Sequence, residues 1–199
     1  MQIHGLTFSY GNFKVFDDFN FESSSQIIAF KGPSGCGKTT LLKLISQNLI
    51  PSKDSVIEYS ENTYFVIQED SLFPWLTGVE NISKFLSIDK SEIKKGNLYP
   101  FIEKFISKKA SEMSYGQRRM IELFRAILYK PSLLLLDEPF NFLDKNGRKE
   151  FSNEILSLAN SGTKIIHTSH YNEDISDLNS KVFYFHNSFP VKELNTEDY

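Results

Sequence analysis

The stretch of sequence that decides the fold is a glycine-rich segment, which reads Gly32-Pro33-Ser34-Gly35-Cys36-Gly37-Lys38-Thr39-Thr40. It fits the pattern G-x-x-x-x-G-K-[ST], which cradles phosphate groups when a strand precedes it and a helix follows it. Both are expected here, because Gln26–Lys31 is a short apolar run and Lys38–Leu49 has leucine and isoleucine at helical spacing. Glycines let backbone N–H groups converge on phosphate oxygens, and the helix adds the positive end of its dipole. We therefore predict a nucleotide-binding loop over residues 32–40.

Individual residues of this loop have distinct expected roles. Lys38 would reach the β- and γ-phosphates of ATP, and the hydroxyl of Thr39 would ligate Mg²⁺. Cys36 has two interpretations, since a thiol near a helix N-terminus tends to be reactive, whereas a small residue also simply fills the loop. We favour the second interpretation, and we expect alkylation of Cys36 to block ATP binding sterically.

The rest of the chain alternates between apolar strands and helices. Near the N-terminus, Gln2–Phe8 and Lys14–Phe21 partly alternate between apolar and polar residues, with a turn at residues 10–12 between them. Further predicted strands are Val56–Tyr59, Tyr64–Ile67, Leu133–Leu136, Lys164–His167 and Lys181–Phe185. Further predicted helices are Gln117–Tyr129 and Lys145–Ala159. This order predicts an α/β fold with a mostly parallel sheet and an N-terminal antiparallel β portion.

A polar, lysine-rich region interrupts this alternation. Asn81–Lys109 is patchily helical, and Pro100 interrupts it. We interpret the region as a small helical subdomain of about residues 76–115 within a single domain of residues 1–199.

Composition and charge exclude several classes of function. The 199 residues carry a net charge of −3, which gives no basic surface for nucleic acid. The N-terminus has no basic stretch followed by an apolar run, so we expect no signal peptide. The longest apolar runs, such as Leu133–Leu136, are far shorter than the ~20 residues of a membrane helix. With one cysteine, the sequence allows no internal disulfide.

Polar residues follow two of the predicted strands. Leu133–Leu136 is followed by Asp137 and Glu138, and ligands of open α/β sheets lie at the carboxyl ends of strands. Asp137 is therefore placed to hold Mg²⁺, directly or through water, and Glu138 to orient and deprotonate an attacking water. Either histidine of the segment 165–170 could be structural. We favour His170 over His167 as the group near the γ-phosphate, because it lies past the strand end.

A short motif carries a family resemblance. The segment 113–117, Met-Ser-Tyr-Gly-Gln, precedes a helix and the acidic strand end, and it resembles the signature motif L-S-G-G-Q of ATP-binding cassette (ABC) ATPases. The resemblance extends from Leu6 to Phe185. It implies a P-loop NTPase core that hydrolyses ATP, with ATP and Mg²⁺ as cofactors.

The resemblance also implies roles for residues outside the phosphate loop. Tyr10 would stack on adenine, and Gln68 would touch Mg²⁺ and the attacking water. Asp137 and Glu138 match the family's Mg²⁺ ligand and general base, and His170 matches its switch histidine.

In this family two copies pair head-to-tail. Each ATP lies between the phosphate loop of one chain and the signature of the other, so the resemblance implies an ATP-dependent homodimer. Ser114, Gly116 and Gln117 would contact the partner's ATP. The segment Asn141–Asp144 matches the D-loop, and its Asp144 joins the nucleotide-binding residues.

A longer segment is similar to one group within the family. Residues 68–77, Gln-Glu-Asp-Ser-Leu-Phe-Pro-Trp-Leu-Thr, resemble the nitrate, sulfonate and taurine importers. The similarity implies a separate membrane permease that docks near Phe73, Pro74 and Trp75, and a location at the cytoplasmic face of the inner membrane. The two aromatic residues could instead be ordinary core residues, whereas an exposed aromatic cluster would indicate a partner site. The implied function is to energise the import of a small solute.

Other functions share parts of this pattern. An exporter or lipid-transport ATPase would use the same chemistry. Non-transport cassettes that act on nucleic acid or the ribosome usually have two cassettes or a long coiled coil, and neither fits in 199 residues. A module that binds ATP without hydrolysing it is disfavoured by Gln68, Glu138 and His170.

Two departures from the family pattern carry expectations of their own. Tyr115 replaces the first signature glycine, which would be costly if the backbone there needed a positive φ. The chain ends soon after Phe185, so we expect no regulatory domain of the kind that some importers carry.

Overall fold

The computed structural model describes residues 1–52, 54–58, 60–186 and 189–196. Its strands are β1 (Gln2–Tyr10), β2 (Phe13–Glu22), β3 (Ile27–Lys31), β4 (Val56–Ile57), β5 (Thr63–Val66), β6 (Leu133–Leu136), β7 (Lys164–Ser169) and β8 (Lys181–Tyr184). Its helices are α1 (Lys38–Ile45), α2 (Gly78–Leu86), α3 (Lys90–Lys94), α4 (Tyr99–Ile102), α5 (Tyr115–Tyr129), α6 (Lys145–Asn160) and α7 (Asn172–Asp177), with a 3₁₀ turn at Ala110–Glu112.

A parallel sheet forms the centre of the molecule. Its strand order is β5-β6-β7-β3-β8, and every neighbouring pair is parallel. The strands β3 and β6 are almost wholly buried, as expected when helices cover both faces of a sheet. Since all five strands run the same way, the segments that follow β3, β5, β6 and β7 emerge at one edge. The predicted α/β architecture is confirmed.

The predicted N-terminal antiparallel portion is a three-stranded sheet, with the order β2-β1-β4. The strand predicted for Val56–Tyr59 pairs only through Val56 and Ile57. Its final residue, Tyr59, lies outside the described residues.

Two apolar clusters lie on opposite faces of the parallel sheet. Neighbouring residues of one strand point to opposite faces, so Leu134 packs in the cluster with α5, whereas Leu135 packs in the cluster with α1. The first cluster also contains the apolar residues of α2, α3 and α4. The helical region is therefore anchored on the α5 side of the sheet.

The first helix is shorter than predicted. The apolar spacing suggested a helix over Lys38–Leu49, but α1 ends at Ile45 because Gln47 adopts a left-handed backbone with φ of 63°. The N–H of Leu49 then donates to the carbonyl of Lys43 at 3.0 Å and closes the helix end.

The helical region divides into short helices at local caps. Thr77 and Glu80 form a reciprocal capping box at the start of α2. Pro100 was expected to interrupt a helix, but it lies in the first turn of α4, where its missing N–H is not needed. The domain limits of residues 1–199 and about 76–115 stay predictions.

Candidate nucleotide-binding site

The phosphate loop and three strand-end residues enclose one pocket of about 200 Å³ at the carboxyl edge of the parallel sheet. The lining residues are Ser34, Gly35, Gly37, Lys38, Thr39, Thr40, Gln68, Glu138 and His170. The structure thus brings most of the predicted loop together with all three residues that the sequence placed near the γ-phosphate and the attacking water. The pocket presents backbone amides, an ammonium group and a carboxylate to one small volume.

The lysine of the loop is held at the base of this pocket. Lys38 is only 6% exposed, and its Nζ donates to the carbonyls of Gly32 and Pro33 at 2.8 and 2.9 Å. The loop therefore wraps around the ammonium group and fixes its position beside the pocket.

Gly32, Pro33 and Cys36 of the loop do not line the pocket, and Pro33 is exposed. Cys36 is fully buried, and its Sγ lies 3.7 Å from Lys38 Nζ. A Cβ on Gly32 would come within 2.6 Å of the carbonyl oxygen of Phe185, so this position requires glycine. Because Cys36 is closed off from solvent, an alkylating reagent would reach it only when the loop opens; the effect on ATP binding stays a prediction.

Asp137 lies directly behind the pocket and binds two hydroxyl groups. Thr39 Oγ1 donates to Asp137 Oδ2 at 2.7 Å, and Thr168 Oγ1 donates to Oδ1 at 2.6 Å. Within the described residues no cluster of three or more His, Cys, Asp or Glu could hold a metal by itself. Mg²⁺ at phosphate sites takes one or two protein oxygens and fills its remaining positions with phosphate and water. Thr39 and Asp137 fit such a partial ligand set.

Glu138 is the meeting point of three side chains from different segments. His170 Nε2 lies 2.8 Å from Glu138 Oε1, and Oε2 accepts from Gln68 Nε2 at 3.3 Å and from Asn141 Nδ2 at 2.5 Å. The backbone of Glu138 is left-handed, with φ of 47°, and its N–H donates to Thr168 Oγ1 at 2.9 Å. The carboxylate is therefore fixed in direction by the backbone and by three donors.

The two histidines of β7 and its extension have different environments. His167 is fully buried, its Nε2 lies 2.7 Å from Ser180 Oγ, and burial lowers its pKa to about 4. His170 lines the pocket with its side chain about one-third exposed. The preference for His170 over His167 agrees with this geometry.

Sequence reasoning missed two residues of this region. Asn141 was matched only as part of the D-loop, although its position three residues after Glu138 in a turn is a signal that could have indicated contact. Arg119 lies on α5, and its buried guanidinium donates hydrogen bonds to the carbonyls of Asp137, Glu138 and Pro139. Nothing in its sequence spacing indicates that reach.

The signature residues lie outside the pocket. Ser114 caps α5 through a capping box in which Ser114 Oγ accepts from the N–H of Gln117 at 3.3 Å and Gln117 Oε1 accepts from the N–H of Ser114 at 3.1 Å. Tyr115 is the first residue of α5, so its backbone is right-handed and the expected strain is not found. A Cβ on Gly116 would come within 2.6 Å of the carbonyl oxygen of Phe142. The signature is thus packed against the D-loop.

Two further predicted nucleotide contacts also lie away from the lining residues. Asp144 caps α6 by accepting from the N–H of Gly147 at 2.7 Å. Tyr10 is 49% exposed at the end of β1, with its ring against Phe8 at a centroid distance of 4.9 Å. Neither residue lines the pocket, and their contacts with nucleotide stay predictions.

Residues 70–77 form a loop with two exposed aromatic side chains. Phe73 and Trp75 are 49% and 66% exposed, and their ring centroids lie 5.5 Å apart. The buried amide of Asn81 holds the loop, accepting from the N–H of Phe73 at 2.8 Å and donating to three carbonyls. The alternative interpretation, that Phe73 and Trp75 are ordinary core residues, is therefore wrong.

Together, the phosphate loop on β3, the acidic end of β6 and the capped signature helix define an ATP-binding cassette. A protein-family model described as ABC transporter matches residues 17–141. The chain therefore belongs to the ABC transporter family and folds as an ABC-type ATPase domain.

Curated relatives agree with this assignment. An uncharacterised ABC transporter ATP-binding protein, YdbJ of Bacillus subtilis, is 30% identical over 200 residues, covering 92% of this chain and 65% of that protein. The spermidine/putrescine import ATP-binding protein PotA of Pasteurella multocida is 30% identical, covering 92% of this chain and 54% of that protein. The aliphatic sulfonates import ATP-binding protein SsuB of Bacillus anthracis is 33% identical, covering 74% of this chain and 64% of that protein. The chain spans between half and two thirds of the length of these relatives.

Solved structures support the fold. A bacterial ABC transporter cassette solved as a dimer matches with a TM-score of 0.82 at 19% identity, covering 99% of this chain and 97% of that chain. A dimeric post-hydrolysis cassette with bound ADP and phosphate matches with a TM-score of 0.79 at 20% identity, again covering 99% and 97% of the two chains. None of the helices in the described part of the chain is long and apolar enough to span a bilayer.

Proposed function

We propose that this chain binds Mg-ATP and hydrolyses it as the nucleotide-binding subunit of an ABC transporter that imports a small solute. The observation that carries the proposal is the convergence of Lys38, Gln68, Glu138 and His170 on one small pocket at the edge of the sheet. These side chains come from four separate segments, and a cradle for a phosphate chain together with a poised carboxylate suits phosphoryl transfer to water.

Binding would use the loop and the start of α1. Backbone amides of residues 34–40 and the ammonium group of Lys38 would hold the β- and γ-phosphates. Thr39 and Asp137 would hold Mg²⁺, which when bound neutralises charge on the phosphate oxygens. The short bond between Thr39 Oγ1 and Asp137 Oδ2 already brings both oxygens to one point.

Hydrolysis would depend on Glu138. Its carboxylate would accept a proton from the attacking water, and Gln68 would orient that water. His170, which contacts both the pocket and Glu138, would donate to the γ-phosphate. Asn141 would keep the Glu138 carboxylate oriented by donating a hydrogen bond to its Oε2.

A second copy of the chain would complete each site. Ser114, Gly116, Gln117 and Asp144 line no part of the pocket in a single chain, and in a head-to-tail homodimer they would face the partner's ATP. Tyr10 would stack on adenine. Backbone amides at the start of α5 would add positive potential to the γ-phosphate.

The partner in the membrane would be a permease with a cytoplasmic docking element. Phe73, Pro74 and Trp75 would receive it, since they form an exposed aromatic surface on a loop that Asn81 holds in place. The chain would then sit at the cytoplasmic face of the inner membrane. Copurification of the tagged chain with a multi-span membrane protein tests this; ribosomes or DNA as the main partners would refute the transport assignment.

The catalytic assignment is tested by Glu138→Gln. ATP affinity should stay within about twofold of wild type, because Glu138 is assigned to the attacking water, whereas turnover should fall by at least about 100-fold as expected for loss of a general base. Equilibrium ATP binding and steady-state phosphate release measure the two quantities. Glu103→Gln, an exposed carboxylate of the helical region, serves as the matched control, and a Glu138→Gln protein that hydrolyses ATP at the wild-type rate would refute the role.

A further inference from the structure

Arg119 is a buried cation whose hydrogen-bonding capacity is fully used. Its residue exposure is 5%, and each of the five N–H groups of a guanidinium has an acceptor here. Nε donates to the Pro139 carbonyl at 3.1 Å, and Nη2 donates to the carbonyls of Asp137 and Glu138 at 2.6 and 3.2 Å. Nη1 donates to the Ile67 carbonyl at 2.6 Å and to Glu122 Oε2 at 3.2 Å.

Four of the five acceptors are backbone carbonyls next to the proposed reacting groups, and the fifth is the side chain of Glu122 on the same helix. Ile67 directly precedes Gln68, and the other three carbonyls belong to Glu138 and the residues on either side of it. Glu138 has a left-handed backbone, a conformation that a non-glycine residue keeps only when its surroundings impose it. Arg119 holds the carbonyl on each side of that conformation.

We propose that Arg119 is a positioning residue for ATP hydrolysis, which fixes the backbone of Glu138 and the start of the Gln68 segment so that both side chains meet at the pocket. The inference rests on the proposed ATPase function. Because Arg119 sits in the second turn of the helix that the signature begins, it also connects the signature helix to the backbone of Glu138. A shift of α5 would therefore be transmitted to Glu138 directly.

A second buried arginine on the same helix provides the contrast. Arg125 is 4% exposed, and its Nε and Nη2 donate to Tyr64 Oη at 2.6 Å and Ser71 Oγ at 2.7 Å. These hydrogen bonds go to side chains of β5 and the following loop rather than to the carbonyls at residues 137–139. Removing either arginine leaves buried acceptors without a donor, but only Arg119 contacts the backbone of the catalytic residue.

The test compares Arg119→Gln with Arg125→Gln in the full chain. Both substitutions should lower the thermal midpoint by similar amounts. For Arg119→Gln, kcat per nucleotide-binding site should fall at least about tenfold while KM for ATP stays within about twofold, because the phosphate loop is untouched. For Arg125→Gln, kcat should stay within about twofold of wild type. The number of sites is measured by ADP titration, so that loss of folded protein does not count as loss of kcat.

Several outcomes would overturn the proposal. An Arg119→Gln protein with wild-type kcat would do so, as would equal losses of kcat in the two variants. If Arg119→Gln does not fold, Arg119→Lys replaces it: one ammonium group cannot serve acceptors on several segments, so kcat should again fall, and a fully active or an unfolded Arg119→Lys protein would sink the idea. A wild-type chain with no ATPase activity would instead refute the proposed function.

Discussion

The phosphate loop and the signature segment each end at the N-terminus of a helix, yet the two N-termini are built in opposite ways. At α1 the N-cap is Gly37, and no side chain among the described residues caps it. At α5 the side chains of Ser114 and Gln117 form a capping box, in which each accepts a hydrogen bond from the backbone N–H of the other. The N-terminal amides of α1 are therefore not capped by a side chain and can donate to a ligand. At α5 the capping box pairs part of the N-terminal amides, so this N-terminus is stable without a ligand.

The largest effect is expected when the ammonium group of Lys38 is removed from the N-terminus of α1. Lys38→Ala should raise the dissociation constant for ATP about 100-fold, which corresponds to ~2.7 kcal/mol, because the ammonium group at the pocket base is lost. Lys43→Ala on the same helix should leave ATP affinity unchanged. Fluorescence titration with an ATP analogue measures both, and an unchanged affinity in the Lys38 variant would mean that the loop amides alone bind the phosphates.

A smaller effect is expected at the self-capped terminus. Ser114→Ala removes one half of the capping box and should lower the free energy of unfolding by about 1 kcal/mol, without changing ATP affinity of the single chain. Ser111→Ala, an exposed serine just before the signature, is the control. Urea denaturation of both variants checks this; if the cap variant weakened ATP binding to the monomer, the two termini would not be independent.

The smallest effect concerns Tyr115. Its backbone is right-handed, so alanine should stabilise the chain more than glycine there, by about 0.5 kcal/mol at this first helical position. Tyr115→Ala and Tyr115→Gly are compared by urea denaturation. The reverse order would indicate that the backbone at this position needs a positive φ, the condition under which Tyr115 would be costly.

The parts that sequence predicted well are those fixed by local chemistry. The phosphate loop, the apolar strand before Asp137 and the position of His170 past its strand all follow from spacing over a few residues. The five strands of the parallel sheet were all indicated by short apolar runs. The bounds of β6 match the prediction, whereas the ends of the other four strands differ from it by one or two residues, because strand ends depend on partners elsewhere in the chain.

The parts that sequence missed depend on contacts between distant segments. Arg119 reaches residues up to 52 positions away in the chain, and no periodicity records such a reach. The early end of α1 depends on a left-handed Gln47, a conformation that residue type alone does not indicate. Pro100 was misjudged because a proline in the first turn of a helix and a proline that breaks one look alike in sequence.

The left-handed backbone of Glu138 has a consequence for how such chains change over evolutionary time. Glutamate is a poor residue for that conformation, and asparagine or glycine suits it better. Drift at this position in a copy released from selection for turnover would therefore tend to make the protein more stable while erasing the carboxylate. Catalytically inactive copies of this domain should therefore have a higher free energy of unfolding than active copies.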